Sequence, residues 1–151
     1  VFEIRASLDQ DYDQGVTGRF GNQLRSIPLL LDLPNGFGPL RFRWYFPEDP
    51  HNVYINAFAS YGWLGGLSYI ALVLATASVG WTLVFRRSPF QRQAIVIWAV
   101  LFITILQGVQ IDTDHWRHFF MLLGLIWGLA ALPCHALAPA RQPALRTSTK
   151  A

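Results

Sequence analysis

Charged residues are scarce in this sequence, and their scarcity argues against an ordinary soluble domain. They make up 14% of the 151 residues, whereas apolar residues make up 52%; soluble domains carry roughly 25% charged residues. Acidic residues are absent from the middle of the chain, since every Asp and Glu lies in the first 49 positions or at Asp112 and Asp114. Between residues 50 and 111 the Arg, Lys and His residues are only His51, Arg86, Arg87 and Arg92.

Cysteine is almost absent as well. The single Cys134 excludes an intramolecular disulfide and a four-thiolate zinc site. The net charge of +3 would suggest nucleic-acid binding if the basic residues formed a stripe. They collect instead at the ends of apolar segments, which is typical of membrane proteins. We therefore expect membrane lipids as neighbours and no nucleic acid.

Long apolar runs dominate the sequence between residues 53 and 137. Residues 53–85 contain no formal charge, and a bilayer core needs about 20 helical residues. We predict three transmembrane helices, at about 53–85, 93–111 and 119–137, the last bent or ended around Pro133. The first is longer than one straight span, so we expect it to cross the bilayer near residues 65–85. The fold class predicted is all-α integral membrane.

The two ends of the chain differ from these spans. Residues 1–52 predict an extracytoplasmic loop with an amphipathic helix at about 19–33, interrupted or kinked near Pro28, that lies at the membrane interface or belongs to a soluble loop domain. Residues 138–151 predict a basic cytoplasmic tail. Because the chain opens at Val1 within polar sequence, we expect the C-terminal portion of a longer polytopic protein. The apolar positions of the helix are Phe20, Leu24, Ile27, Leu30 and Leu31.

Between that helix and the first span, prolines and glycines predict irregular chain. Its aromatic residues fit the headgroup region, where Trp and Tyr concentrate. The short connection 86–93 carries three arginines and no acid, so it belongs on the cytoplasmic side. The loop 112–118 and residue 51 then face outward. The aromatic residues are Phe42, Trp44, Tyr45 and Phe46.

The stretch that begins at His51 carries the clearest chemical signal. Asn52 is a good N-cap for the following helix, which puts His51 at an outward-facing helix N-terminus. Such a terminus favours a phosphate group. Gly62 and Gly66 form a GxxxG pair that allows close helix packing. The alternative is that His51 belongs only to the cap region and that the glycines serve only packing.

This stretch resembles the pattern of the O-antigen ligase and polymerase family, His-[Asn/Ser/Gln]-x9-Gly-x-x-Gly. Gly18-Arg19, the amphipathic helix and Pro34-Asn-Gly36-Phe-Gly38-Pro39 also resemble the segment that precedes the family's histidine, and the resemblance covers most of residues 18–135. It implies the C-terminal portion of a GT-C-like glycosyltransferase of the bacterial inner membrane, with a metal-independent active site that faces the periplasm.

The resemblance implies a glycan donor linked to undecaprenyl pyrophosphate and a hydroxyl acceptor on lipid A core or on a growing polysaccharide. His51 is then the catalytic base or a contact to the donor phosphate, since an imidazole suits proton transfer near neutral pH. Arg19 matches the family's phosphate-binding arginine, because a guanidinium group stabilises the charge of the leaving group. The other candidate substrate-binding residues are Asn52, Arg25, Arg41, Arg43 and Arg117; for the arginines at 25, 41 and 43 anchoring at the interface is the competing role.

Several alternatives stay open at this point. A polysaccharide polymerase or a protein O-glycosyltransferase would share the donor and differ in the acceptor. Asp112 and Asp114 could instead bind a divalent ion, as in metal-dependent oligosaccharyltransferases, or lie in a plain solvated turn. A transporter-like, non-catalytic membrane subunit is the remaining class, although a transporter needs ionisable residues near the middle of the membrane.

Overall fold

The computed structural model describes residues 18–132, and all of its regular elements within that range are helical. The predicted N-terminal loop before residue 18, the bend at Pro133 and the basic tail 138–151 lie outside the described residues. The elements are α1 (Arg19–Asp32), a short 3-10 helix (Phe42–Trp44), α2 (Val53–Phe85), α3 (Gln91–Gln107) and α4 (Arg117–Ala131).

Helices α2, α3 and α4 pack against one another around an apolar core. Leu101 of α3 and Ile126 of α4 are fully buried at its centre. Two tryptophans tie the helices together: Trp98 Nε1 donates to the carbonyl of Ala77 at 3.0 Å, and Trp127 Nε1 donates to Thr76 Oγ1 at 3.0 Å. These bonds give each indole N–H an acceptor within the helix bundle.

One helix in the described range, α2, is long and apolar enough to cross a membrane, as judged by length and composition. Its bounds coincide with the predicted 53–85, whereas α3 and α4 are shorter apolar helices of 17 and 15 residues. The predicted bounds of the second span were wrong at its end: α3 stops at Gln107, because residues 108–111 turn and the Gly108 carbonyl accepts a hydrogen bond from Val53 N–H at 2.9 Å.

Helix α2 is broken at Gly62, whose φ of 68° and ψ of −166° are not helical. In an unbroken helix the N–H of Trp63 would donate to the carbonyl of Ala59. Here the Trp63 N–H donates to Pro34 O at 2.8 Å, and Ala59 O accepts from the N–H groups of Phe37 and Gly38 at 2.7 and 3.0 Å. The loop 34–38 thus replaces the missing helical bond.

The break divides α2 into two parts of different length. The part after it, residues 63–85, is about 34 Å long at 1.5 Å per residue, close to the roughly 30 Å of a bilayer core. The part before it, residues 53–61, lies alongside α1. That the crossing segment starts near residue 65 remains a prediction.

Helix α1 continues through Pro28 to Asp32 without interruption, and its amphipathic faces are inverted relative to those of a soluble protein. Asn22 and Ser26 are fully buried against the protein, whereas Leu24 and Leu31 are 70% and 62% exposed. A helix on a water-soluble surface buries its apolar stripe. The outward apolar face of α1 is compatible with a surface that lies in lipid.

The irregular segment after α1 has a small core of its own. Phe42 and Phe46 are buried there beside Phe37, with Phe42 and Phe46 stacked at 4.8 Å between ring centroids. Phe42 and Phe46 close the core over the α2 break, whereas Trp44 and Tyr45 are exposed. The position of these aromatics in the headgroup region remains a prediction.

Candidate functional site

His51 occupies the corner where the loop enters α2, and its backbone is in the left-handed region with φ of 44°. A non-glycine residue rarely adopts that conformation, which persists only where the surroundings impose it, often at functional sites. The residue is half-buried. The corner therefore presents an imidazole on a constrained backbone.

Three hydrogen bonds flank His51, one before it and two after it, and hold this conformation. Before it, the side chain of Gln23 on α1 donates to the carbonyl of Pro50 at 2.5 Å. After it, Asn52 Oδ1 accepts from the N–H groups of Tyr54 and Ile55 at 3.0 and 3.2 Å. The predicted N-cap at Asn52 is confirmed, because its Oδ1 atom accepts from N–H groups in the first turn of α2.

The Gln23 contact also brings α1 to the histidine. Arg19 lies one turn before Gln23 and is half-buried, at the start of the polar face that packs against the protein. Its guanidinium carbon lies 5.0 Å from the centre of the Phe20 ring. The residue of α1 that contacts the Pro50–His51 corner is therefore Gln23, one turn after Arg19.

The loop between α3 and α4 closes the other side of the corner. Asn56, on the first turn of α2, donates to Asp114 Oδ2 at 3.1 Å and accepts from Ser60 Oγ at 3.1 Å. His115 Nδ1 lies 3.3 Å from Asp114 Oδ1. These contacts hold the loop 112–115 against the start of α2.

Asp112 is an acidic residue of this loop whose pKa is shifted. Burial raises the pKa of its carboxyl group, the neighbouring Asp114 carboxylate raises that pKa further, and His51 acts to lower it. Its Oδ1 atom is buried with no hydrogen-bond partner among the described residues.

Three of the predicted arginines have contacts on the loop itself. Arg43 Nε forms an ion pair with Asp49 Oδ2 at 2.7 Å, Arg41 stacks over the Trp44 ring at 4.9 Å, and Arg25 lies 5.8 Å from the Phe46 ring centre. All three are exposed. Arg41 and Arg25 thus make cation–π contacts, whereas Arg43 pairs with a carboxylate, and anchoring at the membrane interface remains a prediction for all three.

Arg117 is the first residue of α4, and its exposed side chain follows directly on the loop 112–116. It therefore lies at the same end of the bundle as His51. The predicted pair Asp112 and Asp114 has no third partner of the kind a metal needs: within residues 18–132 no group of three or more His, Cys, Asp or Glu side chains could hold an ion.

The two glycines of the GxxxG pair, Gly62 and Gly66, meet parts of this chain other than a second helix. A Cβ on Gly62 would collide with the carbonyl of Pro34, and a Cβ on Gly66 would come within 2.5 Å of the Phe58 ring. The neighbour that Gly62 admits is loop backbone, whereas the GxxxG reading predicted a second helix. Gly62 thus allows the loop to pack against the α2 break, whereas Gly66 makes room for the Phe58 ring of its own helix.

An apolar groove of about 450 Å³ runs between α1 and α2 next to this corner. It starts at Tyr54, less than one turn beyond Asn52, and extends past the break to Leu67. Every side chain that lines it is apolar or aromatic: Ile27, Leu30, Leu31, Tyr54, Ile55, Phe58, Trp63 and Leu67.

Sequence reasoning missed two residues of this site. Gln23 was not predicted as a site residue, although its buried amide must find a partner. Asp112 was weighed only with Asp114 as a metal ligand or turn residue. Comparisons of the chain with models of protein families, with curated proteins and with solved structures find no match.

Proposed function

We propose that this chain carries the histidine site of a membrane glycosyltransferase that transfers a glycan from a polyprenyl-pyrophosphate donor to a hydroxyl acceptor. The type is that of the O-antigen ligases, acting without a metal at the outer face of a bacterial inner membrane. One observation carries the proposal: a histidine is held in a constrained conformation at a polar corner next to an arginine-bearing helix with an outward apolar face.

The reaction assigns one task to each part of the corner. His51 takes the proton of the acceptor hydroxyl as its oxygen attacks the anomeric carbon of the donor. The bond between that carbon and the pyrophosphate oxygen breaks, and its electron pair leaves with the pyrophosphate. Arg19 binds the negative charge that develops there, with Arg117 as the second cation at this end.

The distribution of charged residues along α2 supports an outward-facing position for His51. The arginines of the connection between α2 and α3, Arg86 and Arg87, lie at the other end of α2 from His51. A cytoplasmic position for them follows the positive-inside rule, which puts His51 on the outer rim. Helix α2 has no formal charge over its 33 residues, so it offers no ionisable group for a transported ion.

The apolar groove supports a lipid-borne donor. A polyprenyl pyrophosphate has an anionic head and a long apolar tail, and the groove leads from the turn after His51 toward the crossing part of α2. With its head at the corner, the tail would contact apolar side chains from both α1 and α2. The exposed Leu24 and Leu31 on α1 extend that apolar surface outward.

The proposal is tested by His51→Asn in the full chain, expressed in its own host from which the chromosomal copy has been deleted. Asn removes the imidazole yet tolerates a left-handed backbone well, so the corner should keep its shape. We expect a loss of transfer of at least about 100-fold, measured as glycan-bearing lipopolysaccharide or polymer on gels, at a normal amount of protein in the membrane.

The matched control is His118→Asn, which removes an exposed imidazole from the same end of the bundle. We expect wild-type transfer from it. Normal glycan products from the His51 variant would refute the proposal. Ligase, polymerase and protein O-glycosyltransferase share the donor chemistry, and the intermediate that accumulates in the deletion strain distinguishes the first two. Lipid A core that carries a single glycan repeat indicates a polymerase. Polymer that stays on its lipid carrier indicates a ligase.

A further inference from the structure

Asp112 stands out among the groups that the proposed reaction does not use. It follows α3 in a loop that is fixed to the first turn of α2 at two points. Val53 N–H donates to the Gly108 carbonyl at 2.9 Å, and Asn56 donates to Asp114 at 3.1 Å. Because Val53 is two residues after His51, these bonds bring the loop against the histidine corner.

The packing between these segments is close. A Cβ on Gly108 would lie 2.7 Å from a Val53 methyl group and 3.3 Å from Thr113 Oγ1. Thr113, which follows Asp112, is 1% exposed. The backbone on both sides of the Asp112 carboxylate is therefore fixed relative to the start of α2.

The carboxylate has a free acceptor atom within this arrangement. Asp112 Oδ1 is buried and accepts no hydrogen bond from any described residue, which is rare for a buried polar atom and calls for a partner. The ionisable groups that act on it are His51 and Asp49 from the start of α2 and Asp114 and His115 from its own loop. Other charged or titratable side chains on the elements that meet here include Arg19, Arg25 and Asp32 on α1, Arg41, Arg43 and Glu48 on the loop, Tyr54 and Tyr69 on α2, and Arg117 and His118 on α4.

We propose that Asp112 is a positioning residue for His51: its carboxylate orients the imidazole and stabilises the imidazolium that forms when the acceptor hydroxyl loses its proton. The inference rests on the proposed transferase function. Carboxylates orient histidines in this way in other acid–base sites, where the neighbour fixes the tautomer and offsets the positive charge. Asp114 is less suited to this task, because both of its oxygens already have partners in Asn56 and His115.

The test compares Asp112→Asn, Asp112→Glu and Asp32→Asn in the full chain, assayed in membrane vesicles with lipid-linked donor and acceptor from the host. Asp32 is an exposed carboxylate at the end of α1, so its variant controls for the change in net charge. We expect Asp112→Asn to transfer about tenfold more slowly or worse, Asp112→Glu to recover part of the rate, and Asp32→Asn to equal the wild type.

The pH profile separates positioning from a merely structural role. Loss of the anion disfavours the protonated imidazole, so the acid limb of the Asp112→Asn rate profile should move to lower pH, whereas the Asp112→Glu profile should keep the wild-type limb. If the Asn variant does not accumulate in the membrane, Asp112→Ser takes its place in the same comparison.

The failure of this inference differs from failure of the proposed function. A wild-type rate and profile for the Asp112 variants, with transfer still abolished by His51→Asn, would overturn the positioning role alone. A slow Asp112→Asn variant with an unmoved acid limb and no recovery by Glu would also overturn it. Normal transfer by His51→Asn would remove the transferase function itself.

Discussion

Gly36 and Gly62 meet backbone to backbone where the loop crosses the broken helix. A Cβ built on Gly36 would lie 2.9 Å from the Gly62 nitrogen and 2.5 Å from the Phe58 carbonyl, and a Cβ on Gly62 would collide with the Pro34 carbonyl. Both glycines have positive φ values, of 66° and 68°. The crossing therefore excludes a side chain at either position, through contact as well as conformation.

Gly62→Ala is expected to destabilise the protein by about 2 kcal/mol or more, because the methyl group meets backbone that cannot turn aside and the φ value is strained for alanine. Thermal unfolding of the detergent-solubilised chain, followed by tryptophan fluorescence, measures the effect. Gly124→Ala is the matched control, since nothing lies within 4 Å of a Cβ there. Equal melting temperatures for the two variants would contradict the backbone crossing.

Trp63→Phe tests the hydrogen bond that attaches the end of α1 to α2. Trp63 Nε1 donates to the Leu30 carbonyl near the end of α1 at 2.8 Å, a bond that phenylalanine cannot make while it keeps most of the ring in the groove. We expect a loss of about 1 kcal/mol and faster proteolysis within residues 19–32. Trp81→Phe, at an exposed tryptophan of α2, should leave the proteolysis rate unchanged; equal rates for both would remove the attachment.

His51→Gly separates the imidazole from its backbone. Glycine adopts a φ of 44° without strain, so we expect the variant to be as stable as the wild type or more stable by up to about 1 kcal/mol, while glycan transfer is lost. His51→Val should unfold at lower temperature, because a β-branched residue is strained there. A Gly variant clearly less stable than the wild type would show that the side chain, and not the bonds around it, holds the corner.

The start of α2 could be predicted from sequence because its determinants are local. Pro50 ends the loop and Asn52 bonds to N–H groups two and three residues ahead, so the residues that specify the corner lie next to one another. The apolar length of residues 53–85 likewise follows from composition. The apolar positions of α1 could also be predicted, since their helical spacing is the same whether the apolar face lies in lipid or in a core.

The break at Gly62 could not be predicted, because its partners are distant in sequence. The carbonyl of Ala59 and the N–H of Trp63 are satisfied by residues 34–38, and glycines at 62 and 66 fit helix packing equally well. The position of Asp112 is missed for the same reason: it depends on the bond between Val53 and Gly108, which also ends α3 earlier than its apolar run suggests.

The Asp112 carboxyl group predicts a pH dependence of stability with a definite sign. Because burial first, and Asp114 second, raise its pKa above the ordinary 3.8, the folded protein binds this proton more tightly than the unfolded chain. Protonation therefore favours the fold, and this contribution is lost as the pH rises through the raised pKa. Asp112→Asn is always neutral, so it should melt at a higher temperature than the wild type near neutral pH, and the difference should vanish below pH 3.8. Melting curves across that range, with Asp32→Asn as the control for net charge, measure it. A lower melting temperature for Asp112→Asn at neutral pH would mean that His51 stabilises the ionised carboxylate by more than its burial opposes it.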